Sequence, residues 1–274
     1  MAVLAENRYG KSGVRLVKLT REAARHHFQD LTVAVSLEGD FQSVHDAGDN
    51  SSVLPTDTMK NTVYALARQN PIGEIEEFGK LLAGHFLRSH EAIRHARVTI
   101  REKLWERLDP HTFRQAGSET RVTEVTAAEG ALAIESGLED LLVAKTSKSA
   151  FDGFFRDRYT TLQETRDRIL ATSVRARWQY AKPDVAFGSL WRTVRQTMLD
   201  TFAAHDSESV QHTLYAMGEK VLERHPEVEE IHITMPNKHH LLADLSRIGV
   251  DNPNEIFVPT EEPYGLIEAS LRRQ

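Results

Sequence analysis

The chemistry open to this chain is narrowed first by what it lacks. There is no cysteine, which removes disulfides, zinc–thiolate sites, iron–sulfur clusters and thiol nucleophiles together. Thirteen histidines invite a metal reading. His26-His27 and His239-His240 are adjacent pairs, however, and neighbours along a strand point to opposite faces, so neither pair is a natural chelate. No His-Glu-x-x-His occurs, and the histidines read as surface or hydrogen-bonding residues. Asp49-Asn50 with Asp57 lacks the closing glutamate of a calcium loop. Gly10-Lys11-Ser12 imitates the end of a P-loop, but Ala5 stands where its first glycine belongs, and a strand follows instead of a helix.

Two stretches remain. In residues 151–174, Phe151-Asp152-Gly153-Phe154-Phe155 sets three aromatics around a glycine, and Arg156, Asp157, Arg158, Arg166, Asp167 and Arg168 add dense charge. A core strand alternates more cleanly. Read locally, the stretch is either a binding segment or a solvated charged turn flanked by core phenylalanines, and composition alone favours the turn. Pro236-Asn237-Lys238-His239-His240 follows a strand that ends at Met235. Proline there is expected to end pairing and free polar side chains for a site; a polar loop with Asn237 as turn residue fits equally well.

Side chains of this kind need a framework, and the apolar periodicities supply one. Residues 14–19 read as a strand with Val14, Leu16 and Lys18 on one face, and residues 30–39 as a second strand. Residues 20–29 separate them, too many for a two-residue turn. Residues 41–55, centred on Gly48-Asp49-Asn50-Ser51-Ser52, read as a loop. A helix is expected over 56–68, with Met59, Val63 and Leu66 on one stripe, and another over 74–90. Residues 96–104, 119–127 and 132–135 read as strands. The second half runs similarly: a strand over 169–180, helices over 187–202 (Leu190, Val194, Met198) and 210–225, and a strand over 230–234. Residues 60–66 resemble residues 211–217, and each copy is preceded by a strand and followed by a helix and a strand. Three such correspondences in one order indicate a duplicated α+β unit, with an antiparallel sheet carrying its helices on one face. The boundary is expected near Gly137-Leu138-Glu139, giving units 1–137 and 138–274. A sheet with one uncovered face predicts an oligomer.

The bulk numbers agree with this. The 274 residues are 40% apolar and 27% charged, with formal net charge −6. That balance builds a globular core and argues against a general nucleic-acid binder, while leaving room for a local basic pocket. No apolar run reaches the ~18–20 residues of a membrane span. Residues 1–11 show no secretory h-region, and Leu271-Arg272-Arg273-Gln274 is not a peroxisomal address. A soluble, cytoplasmic protein is the expectation.

The motifs together resemble the urate oxidase (uricase) family. They are Arg8-Tyr9-Gly10-Lys11; residues 56–64, from Thr56-Asp57-Thr58 to Val63-Tyr64; residues 151–174; Val210-Gln211 before a helix; Pro236-Asn237-Lys238-His239; Asp251-Asn252-Pro253-Asn254-Glu255; and Tyr264-Gly265-Leu266-Ile267-Glu268. They stand in family order and span nearly the whole chain, although residues 94–118 carry nothing diagnostic. The resemblance implies two tandem tunnelling-fold (T-fold) units per chain. Four chains would stack into a barrel around a central tunnel, as a homotetramer with active sites at subunit interfaces. It implies that Phe151 stacks on the purine, that Arg168 and Gln211 grip the urate edge, that the Val210 backbone adds a hydrogen bond, and that Leu162 lines the pocket. Thr56 and Asp57 would come from a neighbouring subunit. Lys11, Thr56 and His239 correspond to the family's proton relay, and Asn237 to the amide that holds O₂ or water above the ring.

These residue types suit that chemistry. A guanidinium is a rigid donor fork for a planar anion, a primary amide offers both donor and acceptor, and a ring gives a stacking face worth ~1–3 kcal/mol per base. Reaction of O₂ with ordinary organic molecules is spin-forbidden, and enzymes usually recruit a flavin or metal for it. Deprotonated urate is electron-rich enough to donate an electron itself, so the resemblance implies no cofactor and no metal, with O₂ as co-substrate. Read structurally, Thr56 is a candidate helix N-cap and Lys11 a surface lysine beside a strand. Two competing readings are a pterin-binding enzyme of the same fold, which would anchor its ring through a glutamate and often use zinc, and a purine-binding protein without catalysis.

Overall fold

A computed structural model describes residues 2–274. The chain divides into two compact units. One runs through Gly137 and includes Gln179–Gly188; the other comprises Leu138–Trp178 and Ser189–Gln274. No helix among the described residues is long and apolar enough to cross a membrane.

The first unit is built on four consecutive antiparallel strands, β1 (Tyr9–Arg21), β2 (His26–Gly39), β3 (Ile93–Asp109) and β4 (Thr112–Ala128). Leu31, Val33, Val35 and Leu37 on β2 and Ala96, Val98 and Ile100 on β3 are all buried, the period of two that a half-covered sheet requires. Between β2 and β3 come α1 (Gln42–Asp46), α2 (Thr56–Gln69) and α3 (Ile75–Leu87). Met59, Val63 and Ala67 from α2 and Ile75, Phe78, Leu82 and Phe86 from α3 close the same core. Each fully buried side chain of this size contributes about 1.5–3 kcal/mol.

Strand β5 (Ala131–Lys145) leaves the first unit at Gly137. In the second unit the succession returns, with β6 (Leu170–Tyr180), α4 (Phe187–Ala204), α5 (Val210–Arg224) and β7 (Val228–Lys238). A small pair, β8 (His240–Leu242) with β9 (Phe257–Pro259), precedes β10 (Gly265–Arg272), which pairs with β7 from Gly265↔Asn237 to Arg272↔Glu230. Helix α5 packs on β7 and β10. The thioethers of Met59, Met198, Met217 and Met235 all lie inside, each residue at most 1% exposed.

A cation from the opening strand closes the first long helix of each unit. Lys18 on β1, on the inward face expected for it, donates to the carbonyls of Ala67 and Asn70 at the end of α2. Lys145 on β5 donates to those of Phe202 and His205 at the end of α4. Both meet the carbonyls a helix leaves unpaired, at its negative end.

Several sequence expectations change. The connection between β1 and β2 is residues 22–25 instead of 20–29, because polar residues such as Thr20, His27 and Gln29 extend both strands on a half-solvated sheet. The 41–55 loop contains α1. The 96–104 and 119–127 strands are the inner parts of a much longer hairpin. Pro236 does not end pairing, since β7 runs on to Lys238 with Pro236 opposite Leu266. In an antiparallel ladder a residue's N–H points to one neighbour only, so a proline removes one bond and leaves the other side intact. Thr56 is the first residue of α2, and the cap position belongs to Pro55. Val210 and Gln211 open α5, where the helix expected over 210–225 places them.

Candidate functional site

In the second unit, residues 149–168 form an irregular ladder. Phe151 and Thr165 exchange N–H···O bonds of 2.7 and 3.1 Å, and the Arg168 N–H donates to Ser149 O at 2.9 Å. The segment read as a charged turn is thus folded back on itself with its two ends side by side. The folding back sets the Arg168 guanidinium over the Phe151 ring, 5.1 Å from its centroid. Phe154 stacks against Phe151 at 5.0 Å, 15° from parallel. Asp157 closes the turn between the arms, accepting from the Tyr159 N–H at 2.9 Å and the Thr160 hydroxyl at 3.0 Å.

Arg168 is unusual in what it lacks. Its Nε is buried without a hydrogen-bond partner, and no carboxylate pairs with it among the described residues. Burial holds its pKa below the ordinary guanidinium range, because desolvation disfavours the charged form. A cation drawn partly out of water without a partner is costly. A site that receives an anion returns that cost on binding.

The second arm is the start of α5. Ser209 caps it, its hydroxyl oxygen accepting from the His212 N–H at 3.1 Å. Val210 is buried and Gln211 is exposed in the first turn, where free N–H groups and the helix dipole favour an anion. Two backbone bonds hold this arm to the first: Ala150 N–H to Ser207 O at 2.7 Å, and Ser207 N–H to Lys148 O at 3.0 Å. The structure therefore brings Phe151, Arg168, Val210 and Gln211 onto one braced framework. Leu162 is exposed on the same loop.

Asn237 is buried near the end of β7, opposite Gly265. Its Nδ2 lies 3.5 Å from Nδ1 of His239, a long contact in which the amide donates when the tautomer leaves Nδ1 unprotonated. The His239 carbonyl accepts from the Thr260 N–H at 2.9 Å, which ties β7's end to the strand pair beyond it. Asn237 is therefore fixed in the sheet, and His239 is the single residue between β7 and β8, held by that backbone bond.

The remaining predicted residues lie in the first unit. Lys11 sits on β1 opposite Val35, at the edge of a register shift that ends at Val14. The glycines around it are needed. A Cβ at Gly10 would stand 1.9 Å from Val35 O, and Gly13 has φ +69°, the left-handed backbone that glycine adopts without strain and that a bulge requires. Thr56 and Asp57 open α2. Asp57 accepts from Lys60 Nζ at 2.5 Å and Asn61 Nδ2 at 2.9 Å. The Lys60 bond and charge chiefly hold its pKa below the carboxylate norm, and Lys11 adds a smaller pull of the same sign. Lys11, Thr56 and Asp57 thus form one neighbourhood, a cation beside a helix start. Sequence reasoning missed Ser209, although serine ahead of an apolar-periodic run is a cap signal, and it missed Thr260, for which no local signal exists.

No three histidine or carboxylate side chains among the described residues are grouped to hold a metal ion. A family model described as Uricase matches residues 7–126 and 134–268. The chain is 47% identical to the uricase of Arthrobacter globiformis, over 99% of this chain and 90% of that protein. It is 38% identical to the uricase of Dictyostelium discoideum, over 100% of this chain and 98% of that protein. The crystal structure of the Arthrobacter globiformis uricase superposes with a TM-score of 0.96, covering 100% of this chain and 96% of that one. Urate oxidase from Bacillus sp. TB-90, at 23% identity, shares the fold with a TM-score of 0.86 over 97% of this chain and all of that one.

Proposed function

This chain belongs to the uricase family, and from that premise we propose how its residues bind and oxidise urate. It is an oxidoreductase acting on urate; the pterin and silent-binder readings are not favoured. The observation that carries our assignment of the site is Arg168, a half-buried guanidinium whose Nε is buried without a partner, held over an aromatic face. Urate, a flat anion with alternating donors and acceptors, supplies the charge and hydrogen bonds that Arg168 lacks, and stacks on Phe151. Gln211 and the Val210 N–H take the adjoining edge, and Leu162 covers the ring.

In our reading Lys11 accepts a proton through the Thr56 hydroxyl, with His239 completing the relay. The dianion passes electrons to O₂ held near Asn237, and a hydroperoxide forms on the ring. Loss of H₂O₂ is followed by addition of water positioned by Asn237 and Thr56. Atoms balance: urate, O₂ and H₂O give 5-hydroxyisourate and H₂O₂, two electrons leaving the purine and reducing dioxygen to peroxide. Urate itself supplies the electrons, so the reaction as we write it uses no cofactor or metal.

We further propose that residues 1–137 and 138–274 are two T-fold units, supported by the repeated strand–helix succession and the matching Lys18 and Lys145 caps. We also propose that the enzyme is a homotetramer, a β-barrel around a central tunnel. Each site would then be completed by Lys11, Thr56 and Asp57 of the partner subunit. Light scattering tests the assembly.

The direct test of the chemistry is loss of urate absorbance in air with H₂O₂ formation, after treatment with a chelator. Absence of turnover overturns the reading, and turnover abolished by chelation overturns only its metal-free part. Lys11→Ala is expected to lower turnover roughly a hundredfold while a urate analogue still binds. Wild-type turnover in that variant would remove Lys11 from the relay.

A further inference from the structure

Gripping a small planar anion from two sides requires that the two arms keep a fixed separation, because an offset of about 1 Å is enough to cost much of the effect. Here the arms are irregular segments, the 149–168 ladder carrying Phe151 and Arg168, and the start of α5 carrying Val210 and Gln211. Ser207 stands between them. It is 2% exposed, and all three of its polar groups are engaged. Its N–H donates to Lys148 O at 3.0 Å and its carbonyl accepts from the Ala150 N–H at 2.7 Å. Its hydroxyl donates to Ser209 O at 2.9 Å.

The target of that hydroxyl is the significant detail. Ser209 is the cap of α5, and its carbonyl also accepts the Thr213 N–H at 3.1 Å, the first bond of the helix. The Ser207 hydroxyl therefore acts on the peptide that sets the direction of the first turn, two residues before Gln211. Its backbone holds the opposite arm through Lys148 and Ala150, and Ser149, between those two, accepts the Arg168 N–H. A chain of short bonds thus runs from Arg168 through Ser149 and Ser207 to Ser209 and the start of α5.

We propose that Ser207 is a positioning residue for urate, setting the separation of Arg168 and Gln211 through its hydroxyl bond to the Ser209 carbonyl. It does not touch the substrate. Its effect falls on how well the two arms fit urate and leaves proton transfer at Lys11 and Thr56 alone. The proposal rests on the urate reading above.

The experiment is steady-state urate oxidation in air by wild type, Ser207→Ala, Ser207→Thr, Gln211→Ala and the Ser207→Ala/Gln211→Ala double variant, with a thermal unfolding curve for each. Ser207→Ala should raise KM for urate roughly five-fold, the effect of one lost hydrogen bond, with kcat within about two-fold. Ser207→Thr keeps the donor and should keep the low KM. In the Gln211→Ala background the Ser207→Ala change should vanish, because both act through one contact. An active wild type whose Ser207→Ala KM is unchanged overturns this inference alone. So does a KM effect that persists in full without Gln211, or a fall in kcat at constant KM. A folded wild type that leaves urate unoxidised overturns the urate reading and this inference with it. If Ser207→Ala does not fold, Ser207→Cys, nearly isosteric and a weak donor, carries the same comparison.

Discussion

Arg121 is buried and Arg168 half-buried, and the two are treated in opposite ways. Arg121 on β4 is met by three carboxylates: Glu76 at 2.6 Å, Glu74 at 2.7 Å and Glu102 at 3.9 Å. Ser136 adds a hydroxyl on Glu76 at 2.5 Å. Burial works against the guanidinium charge, but Glu76, Glu102 and Glu74 outweigh it and hold Arg121 above its ordinary range. Arg168 has burial alone, and its pKa goes down. The first charge is neutralised by the fold and ties α3 to the sheet. In our proposal the second is left for the anion that the site receives. An ion withdrawn from water is costly unless paired, and in the proposed site urate supplies the partner that Arg168 lacks.

Breaking each arginine should therefore fail in a different assay. Arg168→Gln should lower kcat/KM for urate by about a thousandfold, the order expected when one side of a buried charge pair is lost. Its melting temperature should hold within a few degrees. A large loss of stability with modest loss of activity would put Arg168 in the fold and not in the site. Arg121→Leu leaves three carboxylates facing one another and should cost about 3–5 kcal/mol. At roughly 2–4 °C per kcal/mol for a domain of this size, the melting temperature falls by about 10 °C. KM for urate in the protein that remains folded should not move.

Smaller effects sharpen the contrast. Phe151→Leu removes the ring under Arg168 and should raise KM about ten-fold with little change in melting temperature. The carboxylates around Arg121 should instead show in pH dependence. Burial, only partly offset by Arg121, raises the pKa of Glu76. A group with a raised folded pKa contributes stability fully below its unfolded value, near pH ~4.3, and loses it as pH rises through the folded value. Glu76→Gln cannot ionise, so the fall in melting temperature as pH rises above ~4.3 should be shallower than in wild type. Equal slopes in calorimetry would mean that Glu76 is ionised as readily in the fold as in the unfolded chain.

The sequence made the fold legible wherever burial is one-sided. The stripe of Met59 and Val63, the alternation along β2, and the four-residue recurrence of Leu190, Val194 and Met198 each mark a face that meets a core. The outer half of the β3–β4 hairpin has no such face. It is held by Phe28 against Trp105 at 5.1 Å, a cross-strand pair far apart in sequence, and by Arg107 over Phe113 at 4.7 Å across the hairpin itself. The small strands β8 and β9, three residues each, are too short to show a period.

The candidate site was legible in part and for a different reason. Arg168 and Phe151 could be picked out only through family resemblance, because locally their segment reads as a charged turn. What folds it back into the proposed site is the Phe151–Thr165 exchange and the Ser149–Arg168 bond, which no periodicity encodes. Pro236 misled because a local rule about proline ignored which side of the strand its missing N–H would face. Ser207, a small polar residue in a polar turn, carries no signal at all until its three bonds are seen.

The seclusion of the sulfur atoms has a chemical consequence. Peroxide oxidises thiols and exposed thioethers, and a urate oxidase releases peroxide with every turnover. This chain contains no thiol, and Met59, Met198, Met217 and Met235 are all shut inside the two cores. Oxidative ageing at those four positions is therefore governed by how often helices and strands open. It follows the folding equilibrium and not the number of catalytic cycles completed.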